Sequence, residues 1–219
     1  MAYEIFWGAG SPYSWRVLLA LEVKQVEYQS RLLEFSKHEH QTPEMLAMNP
    51  RAQVPVLRDG ETSVYESIAI VAYLDRKHPE VPLLGTNAKE TGYIWQRVFE
   101  LENYLCKHIF KIVRPIFFDD IDDNIHSIEK AADLTQAEFN TLQTHLQSNR
   151  YLAGDNITAA DIILFPTIQA LTRAIFLKSS RAPDLDKLDI EQHYTQIANW
   201  ITRIESIPGY ERTYPPNWT

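Results

Sequence analysis

One cysteine among 219 residues, Cys106, leaves no partner for an intrachain disulfide. That excludes a disulfide-stapled scaffold and fits a reducing compartment. Blocks of Lys or Arg are also missing. With 21 basic against 29 acidic side chains the net charge is −8, which argues against nucleic acid or an anionic membrane as partner. No apolar run approaches the ~20 residues that a membrane span requires. There is no internal repeat and no low-complexity tract, and MAYEIFWGAG lacks the basic-then-apolar layout of a leader peptide. A hydrophobic content of 45% supplies a substantial core, in one large domain or two modest ones. The expectation is a soluble, acidic, cytoplasmic globular protein.

Residues 53–74, QVPVLRDGETSVYESIAIVAYL, read as a hairpin running into a helix. Val54, Val56 and Leu57 form an apolar run, Asp59-Gly60 supplies a tight turn, and residues 62–65 form the return strand. Ser67 takes the expected N-cap position ahead of Ile68, Ile70, Val71 and Leu74. Pro55 opens the first strand and removes a backbone donor, so the strand cannot be paired along its whole length. Glu66-Ser67 sets polar side chains beside the bare N–H groups of a helix start, a natural seat for a carboxylate.

Upstream, residues 3–7 read as a strand and 13–23 as a largely buried helix, with Ser11-Pro12 as its start. Residues 26–35 read as a second strand, and the alternation predicts a parallel βαβ unit. Residues 36–41 (SKHEHQ) are polar and loop-like, and 43–48 form a short helix, which completes a β-α-β-α-β-β-α order. After a Pro-rich linker at 78–85 the composition turns helical: segments at 89–115, 125–152, 155–176 and 190–207. In the third, Thr158 and Asp161 are spaced as a capping box, and Pro166 is expected to bend the helix. Two domains are expected, 1–80 and 88–219.

Ser11 stands at a strand-to-helix turn. No Gly-x-Ser-x-Gly elbow surrounds it, so its candidate role is to donate a hydrogen bond to an anion held at the helix start, against the plainer role of an N-cap. His38-Glu39-His40 lacks a third ligand at regular spacing and reads as a solvated loop, so no metal is expected. Cys106 reads as a small packing residue. Tyr13, Tyr104 and Phe117 are candidates to line an apolar pocket. Arg173, on an otherwise apolar helix, is either a snorkelling side chain or a ligand group.

SPYSWRV at 11–17, NPRAQVPVL at 49–57, YESIAIVAYL at 65–74 and TAAD at 158–161 together resemble the soluble glutathione transferase family over almost the whole chain. The resemblance implies an α/β thioredoxin-like N-terminal domain, an all-α C-terminal domain, a homodimer and a cis Val54-Pro55 peptide. It implies that Ser11 activates the glutathione sulfur and that Val54, with Pro55 and neighbouring Gln53, clamps the cysteinyl backbone. Glu66 and Ser67 would hold the γ-glutamyl end, and His40 and Gln41, in the H-x-x-P-E pattern, the glycyl carboxylate. Thr158 and Asp161 would be structural. Pro12 and Tyr13 depart from the zeta-type Ser-Cys pair, while Arg173 falls where zeta enzymes hold a substrate carboxylate, and the Ser-Pro-aromatic start and His40 loop are similar to the tau and phi classes. No cysteine stands near position 11, which disfavours thiol-disulfide chemistry. The implied function is attack of the glutathione thiolate on a small hydrophobic electrophile. The alternatives are a glutathione-dependent isomerase resembling maleylacetoacetate isomerase, or a non-catalytic ligand-binding or assembly module.

Overall fold

Four strands alternate with helices in the first part of the chain. The computed structural model describes residues 3–177 and 183–218. Strand β1 (Tyr3–Trp7) leads into helix α1 (Pro12–Val23), β2 (Tyr28–Leu32) and the short α2 (Pro43–Met48). The hairpin β3 (Val56–Asp59) and β4 (Thr62–Tyr65) then feeds α3 (Ser67–Lys77). The sheet order is β2-β1-β3-β4. β1 and β2 are parallel, with Trp7 opposite Leu32. The β1–β3 and β3–β4 pairs are antiparallel, with Phe6 opposite Val56 and Val56 opposite Tyr65. This is the thioredoxin-like order expected from the sequence.

Helix α1 is buried from Ser14 to Glu22, as its all-round apolar pattern requires, and it packs beside α3. Three boundaries differ from the sequence reading. β2 is shorter than 26–35. β3 begins at Val56, after Pro55. The polar stretch before α2 forms two 3-10 turns, Phe35–Lys37 and Glu39–Gln41.

The chain divides into two packed units, Met1–Leu84 with Glu205–Thr219, and Gly85–Ile204. The tail, expected with the helical half, thus packs on the first unit, where Arg212, Thr213 and Trp218 find their partners.

The second unit is all helical. α4 (Ala88–Glu100) continues through a π-helical segment, Leu101–Cys106, into α5 (Lys107–Phe117), followed by α6 (Ile125–Leu146) and α7 (Ala159–Leu177). The last segment breaks at Tyr194 into α8 (Ile190–His193) and α9 (Thr195–Glu205). Cys106 is buried in the π segment. Contrary to the expectation that no run approaches membrane-span length, α7 is long and apolar enough by length and composition, but 67% of that stretch is buried inside the unit. Pro166 lies within α7, which runs on through it.

Asp161 fixes the start of α7. Its Oδ1 accepts from Leu152 N at 2.9 Å and Trp200 Nε1 at 2.8 Å; its Oδ2 accepts from Thr158 N at 2.8 Å and Thr158 Oγ1 at 3.0 Å. Burial pushes this carboxyl up, while the four donors pull it down. The box is structural, and it joins three segments of the unit.

Candidate active site

Strand register gathers the site. Since Phe6 stands opposite Val56 and Val56 opposite Tyr65, the end of β1, the start of β3 and the end of β4 share one edge of the sheet. β2 ends at the same edge, with Leu33 N donating to Trp7 O at 2.9 Å. The segments leaving this edge carry Ser11, His40 and Gln41, Val54-Pro55, and Glu66-Ser67. Residues spread over some 57 positions of sequence therefore emerge together.

Ser11 is the N-cap of α1, its oxygen accepting from Ser14 N at 3.3 Å. That use consumes a lone pair and leaves the hydroxyl proton to be donated. The turn before it is tied by Ser11 N donating to Gly8 O at 3.2 Å and Gly8 N donating to Ser14 Oγ at 3.3 Å. Space there is tight. A Cβ at Gly8 would stand 2.5 Å from the Phe35 ring and 3.4 Å from Val54 Cγ2.

Val54-Pro55 is a cis peptide. The loop before it is shaped by buried Asn49, whose Nδ2 donates to Gln53 O at 2.8 Å and whose Oδ1 accepts from Arg51 N at 3.1 Å. Ala52 takes a left-handed φ of 52° in this loop. Gln53 is exposed, while Pro55 is buried.

Ser67 is not the N-cap that its spacing predicts. Glu66 holds that position, at φ 68° and ψ 113° with no side-chain cap bond, and Ser67 is the first helical residue. A glutamate in this region of backbone space costs about 1–3 kcal/mol and persists where the surroundings over-determine it. Ser11 caps α1, Thr42 caps α2 and Asn87 caps α4, whereas α3 starts without a side-chain cap. Its first N–H groups and its dipole form a seat for a carboxylate.

His40 is half-buried, with Nδ1 enclosed and lacking a hydrogen-bond partner. Its Nε2 lies 3.2 Å from Gln41 Nε2 and its ring packs edge-on against Phe35 at 4.8 Å. An orphaned imidazole nitrogen and an uncapped helix start fit a ligand with carboxylates at both ends. Glu44 turns away from this loop to accept from Arg58 Nη1 at 2.7 Å. His38 and His40 rings are 6.2 Å apart. Among the described residues, no group of three or more His, Cys, Asp or Glu is placed to hold a metal ion.

Of the four pocket candidates, Tyr13 lies in the first unit and Tyr104, Phe117 and Arg173 lie in the helical one. Tyr13 lies on α1, exposed, beneath the Arg16 guanidinium at 4.8 Å. Tyr104, on the π segment, lines a cleft of about 350 Å³ with Arg97, Glu100, Glu138, Leu101, Leu105 and Leu142, a lining more apolar than polar that includes neither Phe117 nor Arg173. Phe117 closes α5 and is partly exposed. Arg173 is partly buried and sits over the Phe176 ring at 5.5 Å. Asn49 and Phe35 belong to the site but escaped the sequence reading. Asn49 had one available signal, an amide-bearing side chain before proline at a chain break; Phe35 had none.

The family description "Glutathione S-transferase, N-terminal domain" matches residues 8–82, and "Glutathione S-transferase, C-terminal domain" matches residues 105–208. Glutathione S-transferase 1 of Dianthus caryophyllus is 30% identical over 184 residues, spanning 82% of this chain and 81% of that protein. Glutathione S-transferase A of Pleuronectes platessa is 27% identical over 98% of this chain and 92% of that protein. The crystal structure of a glutathione S-transferase from the Antarctic clam Laternula elliptica superimposes with a TM-score of 0.81 at 30% identity, covering 100% of this chain and 94% of that one.

Proposed function

The chain belongs to the glutathione S-transferase family and is an enzyme that uses glutathione, and from that premise we propose that Ser11 activates the glutathione thiol for attack on a hydrophobic electrophile. The observation that carries this reading is the single sheet edge from which Ser11, Val54-Pro55, Glu66-Ser67 and His40 all emerge. Glu66 and Ser67, with the open start of α3, take the γ-glutamyl end. The backbone at Val54, with Gln53 and Pro55 beside it, takes the cysteinyl unit antiparallel. His40, with Gln41, takes the glycyl carboxylate. That arrangement lays the sulfur near the start of α1.

The energetics suit a site without a catalytic base. A thiol titrates near ~8.5, and lowering it by about two units takes roughly 2.7 kcal/mol of differential stabilisation. A hydrogen bond to a charged group is worth ~1.5–3 kcal/mol, and a helix N-terminus adds ~0.3–1 kcal/mol. Ser11 and α1 together supply that amount. Ser11→Ala is therefore expected to leave glutathione binding nearly intact while removing most of the thiolate absorbance of the bound thiol and lowering turnover by about two orders of magnitude. Conjugation at the wild-type rate in that variant would refute the serine role.

Tyr13, Tyr104 and Phe117 are the side chains we assign to the electrophile's surroundings. The isomerase alternative rests on Arg173, and its packing over Phe176 supports the plainer role of a snorkelling side chain. The retained Ser11 hydroxyl and Glu66-Ser67 pair weigh against a non-catalytic module. A homodimer is part of the proposal, supported by an aromatic stripe on α4 in which Trp95 and Phe99 stack at 5.6 Å while Tyr93 and Phe99 stay exposed. A cytoplasmic setting fits a chain whose single cysteine is buried and cannot form an intrachain disulfide.

A further inference from the structure

The segment after α9 runs the length of α1 and is fastened to it at three points. Arg212 pairs with Glu22, a carboxylate only 2% exposed that also accepts from Tyr28 OH at 2.8 Å. Gly209, at φ 85°, lets the chain pass over that carboxylate, because any Cβ there would collide with it. Thr213 Oγ1 accepts from Trp15 Nε1 at 2.8 Å and donates to Tyr210 O at 2.7 Å. The Trp15 indole, 2% exposed, is then enclosed by Tyr214 at 5.7 Å and Trp218 at 5.5 Å, both edge-on.

Trp218 reaches beyond Trp15 to the turn before Ser11. A Cβ built on Gly10 would stand 3.1 Å from Trp218 Nε1 and 3.5 Å from Asn217 Nδ2. Gly10 has φ 75°, a region that glycine enters without steric cost, so no side chain of its own holds this link of the turn. The turn's own bonds, at 3.2 and 3.3 Å, are long. Its conformation therefore depends on what is packed against it. On the Gly8 side that is Phe35, and on the Gly10 side it is Trp218.

We propose that residues 210–218 act as a strap, anchored through Arg212 and Thr213, in which Trp218 is a positioning residue that holds the Gly8–Gly10 turn and so aims the Ser11 hydroxyl. This rests on the reading of Ser11 given above. The hydroxyl must meet the sulfur at hydrogen-bond distance, and misplacement by an ångström costs one to two orders of magnitude in rate.

The test compares full-length Trp218→Ala, Trp218→Phe and Ser11→Ala by melting temperature, by kcat and KM toward a neutral activated aryl halide, and by the pH dependence of the thiolate absorbance of bound glutathione. Trp218→Ala is expected to lower kcat about tenfold and to move the thiolate transition up by about one pH unit, the same tenfold in an ionisation constant. KM for glutathione should stay within about twofold, since the carboxylate seats are elsewhere. Trp218→Phe, which keeps a ring against Trp15 and Gly10, should recover most of the rate. A Trp218→Ala enzyme with wild-type kcat and thiolate transition, while Ser11→Ala loses both, overturns the strap and leaves the Ser11 reading standing. A lower melting temperature with an unmoved thiolate transition also overturns it, because that is the signature of packing alone. A Phe variant as slow as the Ala variant overturns the ring contact as the operative one. An unaltered thiolate transition in Ser11→Ala overturns both readings.

Discussion

A methyl group at Gly8 has nowhere to go but into the Phe35 ring, 2.5 Å away. The ring is the far end of a half-exposed side chain, so it can swing aside, and the backbone at Gly8 is not left-handed. Gly8→Ala should therefore cost only about 1 kcal/mol, a fall of roughly 2–4 °C in a protein of this size. The functional effect should be larger, because Phe35 packs on His40 at 4.8 Å. Displacing it moves the imidazole expected to hold the glycyl carboxylate, and glutathione affinity should fall about three- to tenfold, on the order of one charged hydrogen bond partly lost. Titration calorimetry with glutathione reads this directly, and an unchanged affinity would break the link between Gly8 and His40. The contrast with Ser11 shows what kind of residue a sequence reveals. A hydroxyl at a helix start, a proline before a strand and a Glu-Ser pair before a helix announce themselves, since local backbone groups demand them. Phe35 and Trp218 act through contacts with residues 27 and 208 positions away, and no local rule reports those.

At the scale of elements, the order of strands and helices was legible, because periodicity and turn residues set it. Boundaries moved where tertiary pairing intervened. Tyr65 is held opposite Val56, so a single residue is left to turn from strand to helix. Glu66 makes that turn at positive φ, and Ser67 is drawn into the first turn of α3. The result opens the very N–H groups that a cap would have closed. At the start of α7 a side chain does close the turn, because Asp161 accepts from both the backbone N–H and the hydroxyl of Thr158. Asp161→Ala would strand the Thr158 and Leu152 amides and the Trp200 indole N–H in a site that is fully buried. Each orphaned buried group costs ~1–3 kcal/mol, so a loss of about 3–5 kcal/mol is expected. Guanidinium titration followed by Trp fluorescence should show an earlier midpoint for this variant. A shift below about 1 kcal/mol would mean that the box does not fasten the unit.

Charge and titration act on the molecule as a whole, and two histidines and the net charge push its response to acid in opposite directions. His108 on α5 is pushed down by burial and then by Lys111, with Glu138 opposing. His145 on α6 is pushed down by burial and then by Arg97, with Tyr151 and Leu152 backbone groups and Glu100 opposing. Each has an enclosed ring nitrogen without a partner, Nδ1 in His108 and Nε2 in His145. Because the folded values lie below the ordinary ~6.5, the unfolded chain takes up these protons first. Their contribution to stability is therefore complete above about pH 6.5 and is lost as pH falls through the window beneath it. Glu4, lowered by Arg31 and Arg58, and Asp59, lowered by Tyr73 and Lys77, extend the loss only at more acidic pH, below the ordinary carboxylate values. The overall charge predicts the reverse trend between pH 7 and the pI of 5.4, because a net charge of −8 shrinks toward zero and self-repulsion weakens. The two effects are thus separable by sign. The melting temperature should fall between roughly pH 7.5 and 5.8, and the double variant His108→Gln, His145→Gln should flatten or invert that dependence. A double variant that keeps the whole drop would remove both histidines as its cause and place it among groups that titrate elsewhere.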